Sequence, residues 1–232
     1  MVRSGLVPRI FAPLLLWLAL APAAAQPAPP ASGGVETWYT ERLITGASAP
    51  GVEHLWSKGP WLRSELVLGG QPIVQIVRGD RYVIVNRLLR RGVSIQRNPL
   101  AIQKDASRRR PIGDDSEIIL AAGGEPTGTD HVGGQPCTSV RLTDADGRRE
   151  TCVSKSEAHV PLRTVFWHRA SNRTTEINYL TWASQMPLPD DFFAPDPDVQ
   201  LEQLGYEQYL AAVEKGPVGP APPTFSHLLH GR

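Results

Sequence analysis

Residues 137–182 decide the fold: Cys137-Thr-Ser-Val-Arg-Leu142, the turn Thr-Asp-Ala-Asp-Gly147, Arg148-Arg-Glu-Thr-Cys-Val-Ser-Lys155, then Leu162-Arg-Thr-Val-Phe-Trp-His-Arg169 and Arg173-Thr-Thr-Glu-Ile-Asn-Tyr-Leu-Thr-Trp182. Each run is short, rich in Thr, Val and aromatics, and alternates polar with apolar positions. Gly, Asn, Asp, Ser or Pro bounds each one. That pattern predicts consecutive antiparallel strands joined by hairpins.

Upstream, the same pattern recurs. Val35–Thr45, Val52–Lys58, Trp61–Leu68, Ile73–Arg78 and Arg81–Asn86 alternate, and Gly59-Pro60, Gly69-Gly70 and Gly79-Asp80 turn the chain between them. Short connections make an antiparallel meander the natural topology. The period of two then lapses. Pro99–Ser107 reads as a short helix opening at a proline. Asp114–Ala122 reads as a second, capped by Asp114 with Glu117 three residues on and stopped by Gly123-Gly124. Both are expected to cover the concave side of the sheet. Val199–Glu214 reads as a helix, with 199–215 as its segment; Gly216–Pro223 is proline-rich, and 216–232 as a whole reads as a flexible tail.

The two ends of the chain do not read as fold. Arg3 and Arg9 precede the apolar run Ile10–Leu20, which is short for a bilayer span, and Ala23-Ala-Ala25 supplies a small-x-small site. Residues 1–25 therefore read as a signal peptide cut after Ala25; an uncleaved anchor is the alternative. Residues 26–34 are a Pro/Ala/Gly linker, and the globular domain is expected over 35–198. Arg3 and Arg9 are the basic residues before the cut and no acidic residue is there, so the formal charge of +1 becomes −1. A near-neutral chain gives no reason to expect nucleic acid as a partner. Export to the periplasm suits oxidation of Cys137 and Cys152, the two cysteines of the chain, which flank one predicted hairpin. Their spacing is too long for a CxxC pair, so a structural disulfide worth roughly 3 kcal/mol is expected.

Leu55-Trp-Ser-Lys-Gly-Pro-Trp-Leu-Arg63, Gly134-Gln-Pro-Cys-Thr-Ser-Val-Arg-Leu142, Pro161-Leu-Arg163 and Leu188-Pro-Asp-Asp-Phe-Phe-Ala-Pro195 occur in the order of motifs in the outer-membrane lipoprotein-sorting (LolA/LolB-like) family. Between Val35 and Pro195 the chain resembles a divergent member. The resemblance implies a mostly β fold, an unclosed antiparallel half-barrel with short helices over its concave face, and a cavity that holds acyl chains. One departure stands at Gly59, where the lipoprotein carrier of that family has an arginine between Lys and Pro. The Cys137/Cys152 pair and the Pro-rich tail also depart from the carrier. Together they point to a cousin with a different apolar ligand or partner.

Several predicted strands carry large apolar groups on both faces, as Tyr82 and Ile84 against Val83 and Val85. A one-sided sheet needs one apolar face, so something covers the second. Trp38, Trp56, Trp61, Leu66, Tyr82, Ile84, Trp167, Tyr179 and Trp182 are the candidates to touch a lipid or acylated ligand; the plainer reading of such aromatics is core. Arg108, Arg109 and Arg110, with Arg63, are candidates for a head group; the arginine run reads equally as a solvated turn, and Arg63 and Arg163 as partners of Glu65 or Glu176. An enzyme is not expected. The six histidines are scattered, and HExxH, GxSxG, P-loop and dinucleotide signatures are missing. A dispersed triad built on Ser64 or Ser94 is the residual enzymatic option. Asp190, Asp191, Asp196 and Asp198 lack the spacing of a calcium loop. No metal or cofactor is expected. The leading expectation is non-enzymatic binding of an apolar ligand in the cell envelope; the alternative is an envelope interaction module with a closed core.

Overall fold

A computed structural model describes residues 35–46, 51–105, 108, 110–156 and 158–231. The expected signal peptide, the linker 26–34 and Arg109 lie outside the described residues.

Twelve strands form one sheet that does not close into a barrel. They are β1 (Thr37–Thr45), β2 (Gly51–Lys58), β3 (Trp61–Leu68), β4 (Gln71–Arg78), β5 (Arg81–Asn86), β6 (Arg91–Gln96), β7 (Glu125–Val132), β8 (Gln135–Thr143), β9 (Gly147–Ser154), β10 (Pro161–His168), β11 (Arg173–Ser184) and β12 (Gln200–Leu204). Their spatial order is β12-β6-β5-β4-β3-β2-β1-β11-β10-β9-β8-β7. Two meanders therefore meet where β1 pairs antiparallel with β11, Trp38 opposite Ser184 and Ile44 opposite Ile177, with a register shift at Glu41/Arg42. β12 alone runs parallel to its neighbour, β6. Helices α1 (Pro99–Asp105) and α2 (Asp115–Ala121) lie between the meanders in sequence; α3 (Tyr206–Val213) and α4 (Ser226–His230) follow β12. Gly59 makes the β2–β3 turn at φ 52°, a left-handed conformation that glycine adopts without strain. The cysteines form the expected disulfide, Cα–Cα 5.5 Å, between β8 and β9.

Strand alternation sorts the side chains onto two faces. On the inner face Leu55, Leu62, Leu66, Ile73, Val77, Tyr82, Ile84, Val93 and Ile95 form one cluster with Ile112, Tyr209, Ala221, Phe225, Leu228 and Leu229. On the outer face Val74, Ile76, Val83 and Val85 pack with Val199 and Leu201. The chain after β11 thus covers both faces of the first meander. Before reaching Val199 it makes a 3-10 turn, Asp190–Phe193, whose Phe192 and Phe193 sit against Trp56 and Trp61.

Four expectations need correction. Residues 199–215 are not one helix: Val199 and Leu201 alternate onto the outer face, so Gln200–Leu204 extends as a strand and Gly205 opens α3. Residues 216–231, the described part of the expected tail 216–232, are not loose: Leu228 and Leu229 are 0 % exposed and Phe225 4 %, because a second apolar sheet face demands a cover and this segment provides it. Residues 91–96 and 125–132 are strands that the pattern did not announce, the second because its side chains lie almost wholly in solvent. Finally, Asp114 precedes α2 without a side-chain capping bond; its carboxylate is turned to Arg110.

Candidate binding face

The inner face over β4–β6 carries polar groups among its apolar ones, and those groups hold the 221–231 segment. Gln75 on β4 is fully buried. Its Nε2 donates to Pro222 O at 3.3 Å and its Oε1 accepts from Thr224 N at 3.0 Å. The Tyr82 hydroxyl donates to the same Oε1 and accepts from Phe225 N at 3.2 Å. Arg97, which follows β6 and is 2 % exposed, donates through Nε to Leu228 O at 2.7 Å. Its other nitrogens reach Gly79 O and Asp105 Oδ2, each at 2.6 Å. Asn98 N donates to Leu229 O at 3.0 Å. Gly231 caps α4 at φ 76° and lies so near α1 that a Cβ there would stand 2.7 Å from Ala101 N. Burial raises the Tyr82 pKa above its ordinary value, and the hydrogen bond from Phe225 opposes the rise.

Nearer the seam between meanders lies a charged cluster. Arg42 on β1 meets Glu53 on β2 through Nε at 2.7 Å and Nη2 at 2.6 Å. Ser64 Oγ donates to the other Glu53 oxygen at 2.5 Å. The Arg42 guanidinium lies 5.4 Å from the Phe225 ring centre. Burial works against its charge, but Glu53 outweighs that and holds the Arg42 pKa above its usual value. Tyr179 Oη is 3.5 Å from Asp115 Oδ2 on α2. Burial raises the Asp115 pKa, with Arg42 opposing. Burial likewise pushes Asp114 up to about 6 against the pull of Arg110.

The expected ligand residues divide among three places. Trp38, Leu66, Tyr82, Ile84, Tyr179 and Trp182 are on the inner face. There Trp38 meets Trp182 edge-on at 6.2 Å, and Tyr179 stacks on Trp182 at 5.4 Å. Trp56 and Trp61 are on the outer face, against Phe192 at 5.3 Å and Phe193 at 5.9 Å; they cannot share a ligand with Tyr82. Trp167 is at the β10–β11 hairpin, where its Nε1 donates to Asn172 Oδ1 at 3.1 Å. Arg110 is not at a cavity mouth: it is 3 % exposed, 4.8 Å from the Trp38 ring centre and 3.3 Å from Asp114. Arg63 is buried on the outer face, bonded to Glu65 at 2.6 Å and to Phe192 O at 2.9 Å. Arg108 is half-buried. Arg163 faces Asp130 at 3.9 Å rather than Glu176. Ser64 spends its hydroxyl on Glu53 and is 0 % exposed, so it is no candidate nucleophile.

Of the expected ligand residues, Leu66 borders open space. An open cleft of about 510 Å³ lies at the end of β2–β4, lined by Val52, His54, Glu65, Leu66, Val67 and Arg87 among others. Among the described residues no group of three or more His, Cys, Asp or Glu is placed to hold a metal. No described helix is long and apolar enough to cross a membrane. Sequence reading missed Gln75, Arg97 and Phe225–Leu229. The available signal was the pairing of Phe225 with Leu228 and Leu229 at helical spacing.

The chain matches no protein-family model and no curated protein. Solved structures do resemble it. An uncharacterized conserved protein from Thermus thermophilus aligns over 72 % of this chain and 90 % of its own, at 10 % identity and TM-score 0.53. The Pseudomonas aeruginosa MucA/MucB complex aligns over 72 % of this chain and 58 % of that one (13 %, TM-score 0.44). The Mycobacterium tuberculosis lipoprotein LppX aligns over 67 % and 90 % (12 %, TM-score 0.42). The Thermus likeness shows a shared fold, here a single open twelve-stranded sheet with a few short helices.

Proposed function

We propose that the protein is an exported, non-enzymatic binding module of the cell envelope whose inner face takes an apolar guest in exchange for its own 221–231 segment. The observation that carries this reading is the position of that segment. Phe225, Leu228 and Leu229 lie in one cluster with Leu66, Tyr82 and Ile84, residues that the sequence assigns to a guest. Export rests on the leader pattern ending at Ala25. The resemblance to lipoprotein-sorting proteins supports a lipid or acylated molecule as one class of guest, and an envelope protein as another. A module whose core never opens is the second reading, favoured by the hydrogen bonds that Gln75, Tyr82 and Arg97 give the segment.

The two readings differ in whether the segment leaves. Native mass spectrometry of protein gently purified from its host, together with uptake of a fluorescent fatty acid, tests the proposal. A bound molecule lost on competition, or saturable uptake, is the expected result. An unliganded protein that takes up neither lipid nor peptide leaves only the closed module.

A further inference from the structure

We propose that the β5–β6 tip is a membrane-docking site. It lays Leu88 and Leu89 into the surface of an anionic phospholipid bilayer, with Arg87, Arg90 and Arg91 among the phosphates. This goes beyond the binding of a guest, and it does not require segment 221–231 to leave its place.

The leucines are held out of the fold by a fixed backbone. The tip reads Asn86-Arg-Leu-Leu-Arg-Arg-Gly92. Leu88 is 69 % exposed and Leu89 61 %, and neither packs in a core cluster. Beneath them, buried Asn86 accepts from Leu89 N through Oδ1 at 3.0 Å and donates through Nδ2 to Gln71 Oε1 at 2.8 Å. Arg87 N donates to Pro72 O and Gln200 N to Arg90 O, each at 3.0 Å. A turn fixed in this way presents both side chains outward before anything binds, so docking has little backbone to order. Apolar surface continues beside it. Val67, 58 % exposed, and Val52 line the open cleft at the end of β2–β4, and so does Arg87.

The residues around the leucines choose the partner. Residues 86–92 hold Arg87, Arg90 and Arg91 and no acid. Arg87 meets Glu65 at 3.3 Å and Arg90 meets Asp198. Both pairs are at the surface, where such pairs hold little energy. Each engages Nη1, and a guanidinium has further N–H donors that can meet a phosphate oxygen. With these carboxylates counted, three cations against two anions leave one positive charge. Arg90 sits at φ 51°, a left-handed conformation that glycine or asparagine adopts at lower cost; the position carries a cation instead. A protein partner would need a pocket cut for two leucines on a convex tip, whereas a fluid bilayer needs none. Leucine enters the hydrocarbon boundary while arginine stems reach back to the phosphates. Two leucines and one net charge make the hold weak and reversible.

Co-sedimentation of the protein, purified as its host exports it, with lipid vesicles tests this. One set of vesicles is phosphatidylethanolamine with phosphatidylglycerol, the other phosphatidylcholine. The unaltered protein is expected to bind the anionic set. Leu88→Ser with Leu89→Ser lowers that partition about 10-fold or more. Arg91→Ala lowers it about 5-fold on anionic vesicles and leaves phosphatidylcholine partition unchanged. Val213→Ser, which removes an exposed apolar side chain on α3, changes neither. All these side chains are exposed, so the variants fold, as circular dichroism checks. An environment-sensitive dye on Leu88→Cys shifts to the blue on the anionic set. An unaltered protein that stays in the supernatant overturns the proposal. So does a double-serine variant that binds as tightly, an equal loss from Val213→Ser, or a dye that stays in water. Dimers that the double-serine variant loses, without vesicle binding, overturn it in favour of a second copy. Fatty-acid uptake that persists in any of these cases leaves the binding module standing, so the two readings fail separately.

Discussion

Truncating the inner cover by degrees separates a docked segment from a piece of core. Phe225→Ala removes a ring that is 4 % exposed, and Leu229→Ala a side chain that is 0 % exposed. Buried truncations of these kinds cost about 3–5 and about 2–5 kcal/mol. If the segment is core, the double variant loses about 5–10 kcal/mol, less a coupling of up to about 3. That approaches the whole stability of an ordinary domain, so the double variant is unfolded or nearly so at 25 °C. If the segment docks as a unit, the undocked form becomes the ground state once docking is weakened. The measured loss then stops at the free energy of undocking, and the second truncation adds almost nothing. The surface exposed on unfolding also shrinks, so the denaturant slope m falls. Urea unfolding followed by far-ultraviolet circular dichroism and by tryptophan fluorescence, to which the inner-face Trp38 and Trp182 contribute, measures both quantities. Losses that add, with m unchanged, refute exchange and leave a closed core.

Other outcomes are equally specific. Replacing Cys137 and Cys152 together by Ala opens a crosslink of sequence separation 15, costing about 3 kcal/mol and lowering Tm by about 6–12 °C, read by calorimetry. Arg42→Met leaves Glu53 buried without its guanidinium and costs about 3–5 kcal/mol; adding Glu53→Leu recovers most of it in the same denaturation assay. Burial pushes the His227 pKa down to about 4 in the fold against about 6.5 when unfolded, so between those values the unfolded chain binds the extra proton and stability is lost as the pH is lowered. His227→Gln removes that loss, and its stability relative to the unaltered chain rises by about 1.4 kcal/mol per pH unit from pH 6.5 down to 4. Asp114, pushed up to about 6, works the other way, binding its proton first in the fold; the wild-type profile is therefore flatter than either group alone would give. Melts of both proteins across pH 4–7 check the difference.

Much of the sheet was legible because β1–β5 and β8–β11 obey alternation and are separated by short turns rich in Gly, Pro, Ser, Asp or Asn. The mostly β class followed from that pattern, whereas the unclosed half-barrel was implied by the resemblance to lipoprotein-sorting proteins. The faces were legible in principle. Trp56 and Trp61 fall at the opposite parity to Leu55, Leu62 and Leu66, and the structure puts the two sets on opposite sides. Grouping Trp38, Trp56, Trp61, Trp167 and Trp182 together as ligand residues overlooked that parity. β7 was illegible because its side chains pack on almost nothing. The cover of the inner face was illegible for another reason. Its apolar residues are few and flanked by prolines, and only the demand of a distant sheet face makes them core.

Both covers come from the chain after β11, yet they are attached differently. The outer cover enters the sheet itself: Gln200–Leu204 pairs residue by residue with Arg91–Ile95, and Gln200 N bonds to Arg90 O. Freeing it breaks a ladder. The inner cover joins no ladder. Phe225–Leu229 is held by side chains of Gln75, Tyr82 and Arg97, by Asn98 N and by apolar contact. It is linked to α3 through Gly216, Pro217, Gly219 and Pro220. Opening the inner face therefore leaves every strand pair intact, whereas opening the outer face costs the sheet an edge. This asymmetry predicts the order of exchange. Amides of Phe225 and Leu228 lose protection before those of β12, and a protein in which β12 exchanges first contradicts an inner face built to receive a guest.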